Sequence, residues 1–172
     1  MNGIKLKKVD DKHLRLSGID WVTASCLLEV PGILPLAKSG PARDRLFQKV
    51  SATDPALNED WLHLVTPDLE TLFAGAGEIL AKDIEPFVKD SKSLKSHTLV
   101  IPIRHLDAWM SAMNQARLIL GAQHDITEKD MDEREFTKPD EPRQQALLRI
   151  HVLGYLLQIF IEFLSGDTQQ QA

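Results

Sequence analysis

Residues 146–164, ALLRIHVLGYLLQIFIEFL, form the longest apolar-rich stretch of the chain and constrain its fold more than any other feature. A helix that spans a membrane needs about 20 mostly apolar residues, usually without charges. This stretch carries Arg149, His151 and Glu162, and Pro142 can start its helix. We therefore predict a helix over residues 142–164 that is buried in the core of a mainly α-helical domain and does not enter a membrane.

The size and composition of the chain indicate one domain. Its 172 residues can bury a large core without a metal or a disulfide. We expect this domain to cover residues 1–166 and a disordered tail to follow over residues 167–172. Cys26 is the only cysteine, which excludes an intramolecular disulfide and fits the reducing cytoplasm. The net charge of −5 without a basic stripe argues against a nucleic-acid partner, because phosphate neutralisation dominates that affinity.

Proline, glycine and capping signals divide the rest of the chain into short elements. We expect about five helices packed as a bundle-like domain, and the segments that favour helix are 20–30, 41–50, 55–65, 66–87 and 106–121, besides the last helix. Alternation of Ile4, Leu6, Leu14 and Leu16 predicts a β-hairpin over residues 4–16. Residues 98–103 favour a third short strand, which Pro102 would confine to the sheet edge.

Two helix ends and two irregular segments in this prediction depend on composition alone. The Pro31-Gly32 pair is expected to end the first helix, and Ser165-Gly166 to end the last. Residues 89–97 are expected to form a polar linker. Residues 125–141 hold eight acids against three bases, so we expect this segment to be the loosest internal part of the chain.

An arginine lies on the apolar side of the helix predicted over residues 106–121. At about 100° per residue, the apolar stripe of this helix consists of Leu106, Trp109, Met113, Ala116 and Leu120. Arg117 falls inside that stripe, while Gln115 falls on the opposite side. Three interpretations remain open for Arg117: its head reaches water past a packed stem, it is buried and paired with a carboxylate, or it binds an anionic ligand.

The final helix offers a partner for Arg117. Glu162 stands alone among apolar residues, and it shares one stripe with His151, Tyr155 and Gln158. That stripe is either the one wet face of a core helix or a polar seam against the Arg117 helix. The candidate ligand-binding residues are therefore Arg117, Asn114, His151, Tyr155, Gln158 and Glu162.

These residues carry a resemblance to a known family. Trp109 is followed by the pattern Asn114-x-x-Arg117-Leu-x-Leu-Gly121 and, later, by a helix with aromatics and the pair Leu157-Gln158. This resembles the bacterial family called domain of unknown function 2017, mainly over residues 98–164. Residues 51–97 show no clear counterpart of its middle region. The resemblance implies a mostly helical cytosolic protein and no particular activity.

Motifs for catalysis, metals and cofactors are missing from the sequence. No two histidines lie four residues apart, and no serine has a nucleophile-elbow context, so we expect no catalytic residue, no metal site and no cofactor. Cys26 is expected to be a small buried hydrophobe, and Trp21, Trp61 and Trp109 to be core anchors.

The expected function follows from these absences. We expect a non-enzymatic, cytoplasmic protein-interaction or adaptor module, which could self-associate. The alternative is a protein that binds a small anionic ligand at Arg117 and the polar stripe of the last helix. A ligand site requires a pocket that an unpaired Arg117 faces, whereas an interaction module requires an exposed apolar patch.

Overall fold

The computed structural model describes residues 3–89, 97–132, 138 and 140–170, with side chains as far as residue 166. Its strands are β1 (Lys5–Lys8), β2 (His13–Ile19) and β3 (His97–Pro102). Its α-helices are α1 (Trp21–Ile33), α2 (Gly40–Leu46), α3 (Pro55–Leu64), α4 (Thr66–Asp83), α5 (Glu85–Lys89), α6 (Leu106–Gln123) and α7 (Pro142–Gln170). Short 3-10 helices cover Leu34–Lys38, Ile103–His105 and Glu128–Asp132.

The predicted hairpin and the third strand form one antiparallel sheet in the order β1-β2-β3. Leu6 pairs with Leu16, and Leu14 pairs with Ile101. Asp10 fixes the hairpin turn, because its carboxylate accepts from the Lys12 backbone N–H at 2.7 Å. β3 is an edge strand, as predicted, and it ends at Pro102, one residue before the predicted end.

The mainly helical class is confirmed, but the expected number of helices was too low. Seven α-helices occur among the described residues, instead of about five. Pro86 ends α4 and opens the separate helix α5, since a proline is tolerated in a first turn and not in a helix interior. The predicted end of α1 at Pro31-Gly32 was wrong. α1 continues to Ile33, which is buried, and a proline this late removes only one backbone hydrogen bond.

α6 is the central helix of the domain, packed against α7, α4 and α2. All five residues of its predicted apolar stripe are buried. Gln115 was expected to face water, yet it is only 6% exposed and donates a hydrogen bond to Ser111 at 3.0 Å. The reason is that α6 has helices on opposite sides, so a single apolar stripe cannot cover its contacts.

α7 supplies much of the core, as its sequence predicted. Leu153, Leu156 and Phe160 are fully buried, and Phe160 stacks on Trp109 with ring centroids 5.9 Å apart. The helix does not stop at Ser165-Gly166 and continues to Gln170. Within the part of the chain that is described, residues 142–166 are the one segment long and apolar enough to cross a membrane, a test that core helices also pass.

The acidic segment 125–141 is more anchored at its start than its composition indicates. Ile126 and Met131 pack on the hydrophobic core. Asp130 binds the Arg143 guanidinium at 2.7 Å and caps Thr127. These hydrogen bonds hold the pKa of Asp130 well below its usual range. Residues 133–137 and 139, and the predicted linker apart from its ends, lie outside the described residues.

Candidate functional site

Arg117 lies over the backbone of Gly154, where α6 crosses α7. A Cβ added to Gly154 would meet the Arg117 Cζ, Nε and Nη2 atoms, all at 3.4 Å. The guanidinium therefore lies against the Gly154 backbone at a distance at which an added Cβ would make ordinary van der Waals contact. The sequence pattern puts Arg117 on the inner side of α6, and in the structure its guanidinium lies next to Gly154 of the facing helix.

Arg117 has no ion-pair partner among the residues that the structure describes. Its Nε is buried and makes no hydrogen bond within that part of the chain. Burial lowers the pKa of Arg117, because removal from water disfavours the charged form. An arginine still keeps its charge near neutral pH, so the site contains a positive charge that has no counterion among the described side chains.

The predicted ion pair between Arg117 and Glu162 does not form. Glu162 is exposed and instead accepts a hydrogen bond from Gln158 Nε2 at 2.9 Å. Both residues lie on the outer part of α7, within one helical turn of each other. This arrangement favours the wet-face interpretation of the stripe at its C-terminal end.

A groove between α6 and α7 brings four of the six candidate residues together. It has a volume of about 590 Å³ and is lined by Asp107, Met110, Ser111, Asn114, Arg117, Gly154, Leu157, Gln158, Ile161 and Glu162. We call it the Arg117 groove. Its polar groups are one guanidinium, two carboxylates, two amides and a hydroxyl, and its apolar wall consists of Met110, Leu157 and Ile161.

The other two candidates lie elsewhere. Tyr155 faces β1, where it lines a separate depression with Lys5 and Lys7. His151 is half-buried and lines neither that depression nor the Arg117 groove. Gln158 and Glu162 line both this depression and the Arg117 groove, whereas Tyr155 lines the depression alone.

A second, more apolar groove was not predicted. It holds about 650 Å³, and its lining residues are Pro31, Leu34, Pro35, Ala37, Lys38, Arg43, Leu46, Phe47, Glu70, Phe73, Ala74, Gly77, Glu78, Ala81 and Gln115. We call it the α2–α4 groove. The Arg43 guanidinium binds Glu70 across it and lies 4.9 Å from the Phe47 ring centroid. The groove joins residues far apart in sequence, which periodicity within single helices cannot reveal.

The helix α3 is an exposed apolar surface next to α4. It has no buried residue, and Leu57, Trp61 and Leu64 are 46%, 36% and 73% exposed. Trp21 is 50% exposed as well, so the expectation that all three tryptophans anchor the core was wrong for two of them. Only Trp109, which is fully buried, has that role.

A polar cluster connects the end of α4 to the start of α6. The carboxylate of Asp83 accepts hydrogen bonds from Trp109 Nε1 at 2.8 Å and from His105 Nδ1 at 2.9 Å. The Asp83 side chain is only 12% exposed. Its position within the apolar periodicity of α4 was the sequence signal that could have identified this cluster. Arg104 Nε donates to the other ring nitrogen of His105 at 3.4 Å, and we interpret the cluster as structural.

The described residues were compared with the requirements of a metal site and of a reactive cysteine. Over residues 3–89, 97–132, 138 and 140–166, no group of three or more potential metal ligands occurs. Cys26 is 5% exposed, which confirms the prediction of a buried thiol.

Cys26 should therefore react slowly with alkylating reagents. Burial raises the pKa of its thiol to about 11, and only the thiolate is nucleophilic. At about pH 8, iodoacetamide should label the folded protein at least about a hundredfold more slowly than the urea-unfolded chain, as followed by mass spectrometry. Equal rates in the two states would show that the helix α1 opens easily.

Comparison with known proteins identifies a family. The family model described as Domain of unknown function (DUF2017) matches residues 10–164. The match includes residues 51–97, so the apparent lack of a counterpart in that region is corrected. No curated protein and no solved structure matches the chain. Because the model covers most of the chain, this protein belongs to the domain of unknown function 2017 family.

Proposed function

We propose that this chain is a non-enzymatic, cytoplasmic protein-interaction module that self-associates through α3. The observation that carries this proposal is the outward-facing stripe of Leu57, Trp61 and Leu64. These residues follow the i, i+4, i+7 spacing with which amphipathic helices dock into apolar grooves. Tryptophan and leucine side chains left in water on a helix without buried residues favour a partner that covers them.

The α2–α4 groove of a second copy is the acceptor that suits this stripe. Its walls are mainly apolar, with Leu46, Phe47 and Phe73 among them. Two bases, Lys38 and Arg43, and the two acids Glu70 and Glu78 line it, so the lining carries no net charge. An apolar stripe with acidic neighbours can therefore enter without net repulsion.

If the α3 stripe of each copy occupies the α2–α4 groove of the other copy, the two chains form a closed dimer. Each copy has one stripe and one groove, so a two-fold dimer fills both grooves and leaves no open acceptor. Closure limits the assembly to a dimer, whereas a one-way contact would continue into a filament. A finite dimer is therefore the expected species.

The expected result is a concentration-dependent dimer that two unrelated substitutions abolish. Sedimentation velocity from about 1 to 100 μM should show monomer converting to dimer. Leu64→Glu charges the stripe at a side chain that is 73% exposed, and Ala74→Glu charges the groove at an exposed position of α4. Each variant should fold and remain monomeric, because burying an unpaired carboxylate is costly.

Val100→Glu is the matched control, because Val100 is 52% exposed on β3 and lines neither surface. This variant should dimerise like the unaltered chain. A monomer at every concentration contradicts the proposal. So does a dimer that Leu64→Glu weakens and Ala74→Glu leaves intact, because the stripe would then occupy another surface.

A further inference from the structure

The Arg117 groove contains an unmatched hydrogen-bond donor and an unmatched charge. Arg117 Nε is buried and has no acceptor within the described residues. A buried donor without an acceptor costs about 1–3 kcal/mol. A planar carboxylate is the acceptor that suits a guanidinium best, since it can take two parallel hydrogen bonds. Arg117 Nε itself is enclosed by protein atoms, so a ligand in the groove would pair with the terminal nitrogens of the guanidinium, and a carboxylate suits them.

The same groove carries negative charges away from Arg117. Asp107 and Glu162 line it, and no ion pair among the described residues joins either of them to Arg117. Asp107 precedes Arg117 by ten residues on α6, which separates their Cα atoms by about 15 Å along the helix. A polyphosphate would meet these two carboxylates, and the repulsion would oppose its binding. A ligand with an ammonium group at the far end satisfies them instead.

The wall between the charged groups is apolar. Met110 is half-buried, Leu157 is buried and Ile161 is 53% exposed. Gln158 and Asn114, both exposed, present amides that can bind peptide groups at the rim. An extended chain advances about 3.3–3.6 Å per residue, so three to four residues span about 10–14 Å, close to the separation of Asp107 and Arg117 along the helix.

We propose that the Arg117 groove binds a short apolar peptide with free ends. Its C-terminal carboxylate pairs with Arg117 above Gly154, and its N-terminal ammonium lies by Asp107 and Glu162. The apolar side chains of the peptide contact Met110, Leu157 and Ile161. This site is independent of the α3 stripe, so self-association and peptide binding can each fail without the other.

Heteronuclear NMR titration with the tripeptide alanyl-leucyl-alanine tests the proposal. The Arg117 Nε–H resonance is the direct readout, and it should move downfield as the carboxylate binds. Amidation of the peptide C-terminus should weaken binding about tenfold or more, and N-acetylation should also weaken it. The free tripeptide should bind more tightly than free leucine, which has the same two charges side by side.

Arg117→Met should abolish binding without unfolding the protein, because the substitution leaves no partner of Arg117 unmatched within the described part of the chain and the methionine keeps the packed stem. Glu162→Gln should lower the affinity for the free tripeptide and leave the affinity for the N-acetylated form unchanged. Arg45→Met is the matched control, because Arg45 is exposed and lies outside this groove. It should bind like the unaltered chain.

Three results would overturn the proposal. The first is an Arg117 Nε–H resonance that no peptide moves. The second is equal affinity for the free and C-terminally amidated tripeptides. The third is a response to inorganic phosphate as large as the response to the tripeptide, which would make the groove a general anion site.

Discussion

Deleting residues 1–16 should abolish the cooperative unfolding transition of the whole domain. β2 is the central strand of the sheet, and Leu14 and Leu16 are fully buried in the common core. The deletion also removes Ile4, which is 8% exposed. Each such side chain contributes about 1.5–3 kcal/mol by burial. Three of them, with the hydrogen bonds of β1 and β3, approach the total stability of about 5–15 kcal/mol of an ordinary domain.

Thermal melts followed by circular dichroism measure this effect. The unaltered chain should show one sharp transition, and the truncated chain a broad change with the signature of loose packing. The matched control is the full chain with Lys7→Ser and Arg15→Ser, whose side chains leave the sheet on its solvent side. A truncated chain that keeps a sharp transition would show that the helices α1 to α7 form a stable unit without the sheet.

The elements and the core could be predicted from the sequence where local patterns determine them. Leu14 and Leu16 alternate as one face of a strand, and Trp109, Met113 and Leu120 recur at helical spacing, so burial of both sets follows from periodicity. Burial of Gln115 could not be predicted this way, because it depends on which helices surround α6. Such contacts are long-range and leave no periodic signal in α6 itself.

The candidate site likewise has one feature that the sequence predicted and one that it could not predict. An arginine within an apolar stripe indicated an unusual environment, and Arg117 does have one. The absence of the ion pair with Glu162 could not be predicted, since it depends on the rotation of α7 about its own axis.

Trp109→Ala should be the most destabilising single substitution in the protein. The side chain is fully buried, stacks on Phe160 and donates a hydrogen bond to Asp83. Removing a buried tryptophan costs about 3–5 kcal/mol through lost transfer energy and the cavity that remains. Trp21→Ala is the matched control, because Trp21 is 50% exposed, and its loss should cost far less. Urea unfolding compares the two free energies of unfolding.

The contribution of the hydrogen bond to Asp83 can be measured separately from the loss of packing. Trp109→Phe keeps most of the apolar volume and removes the indole N–H, so Asp83 then accepts only from His105. Asp83→Ala instead leaves the buried indole N–H without an acceptor, which costs about 1–3 kcal/mol. If this hydrogen bond stabilises the fold, the double variant should lose less than the sum of the two single losses. Strict additivity would mean that α4 and α6 are joined by packing alone, with Asp83 held in place by His105. A coupling free energy of about 1 kcal/mol or more would mean that the Asp83 carboxylate stabilises the contact between the two helices through its hydrogen bond to Trp109. That stabilisation would explain why an acidic residue occupies a position in the apolar periodicity of α4.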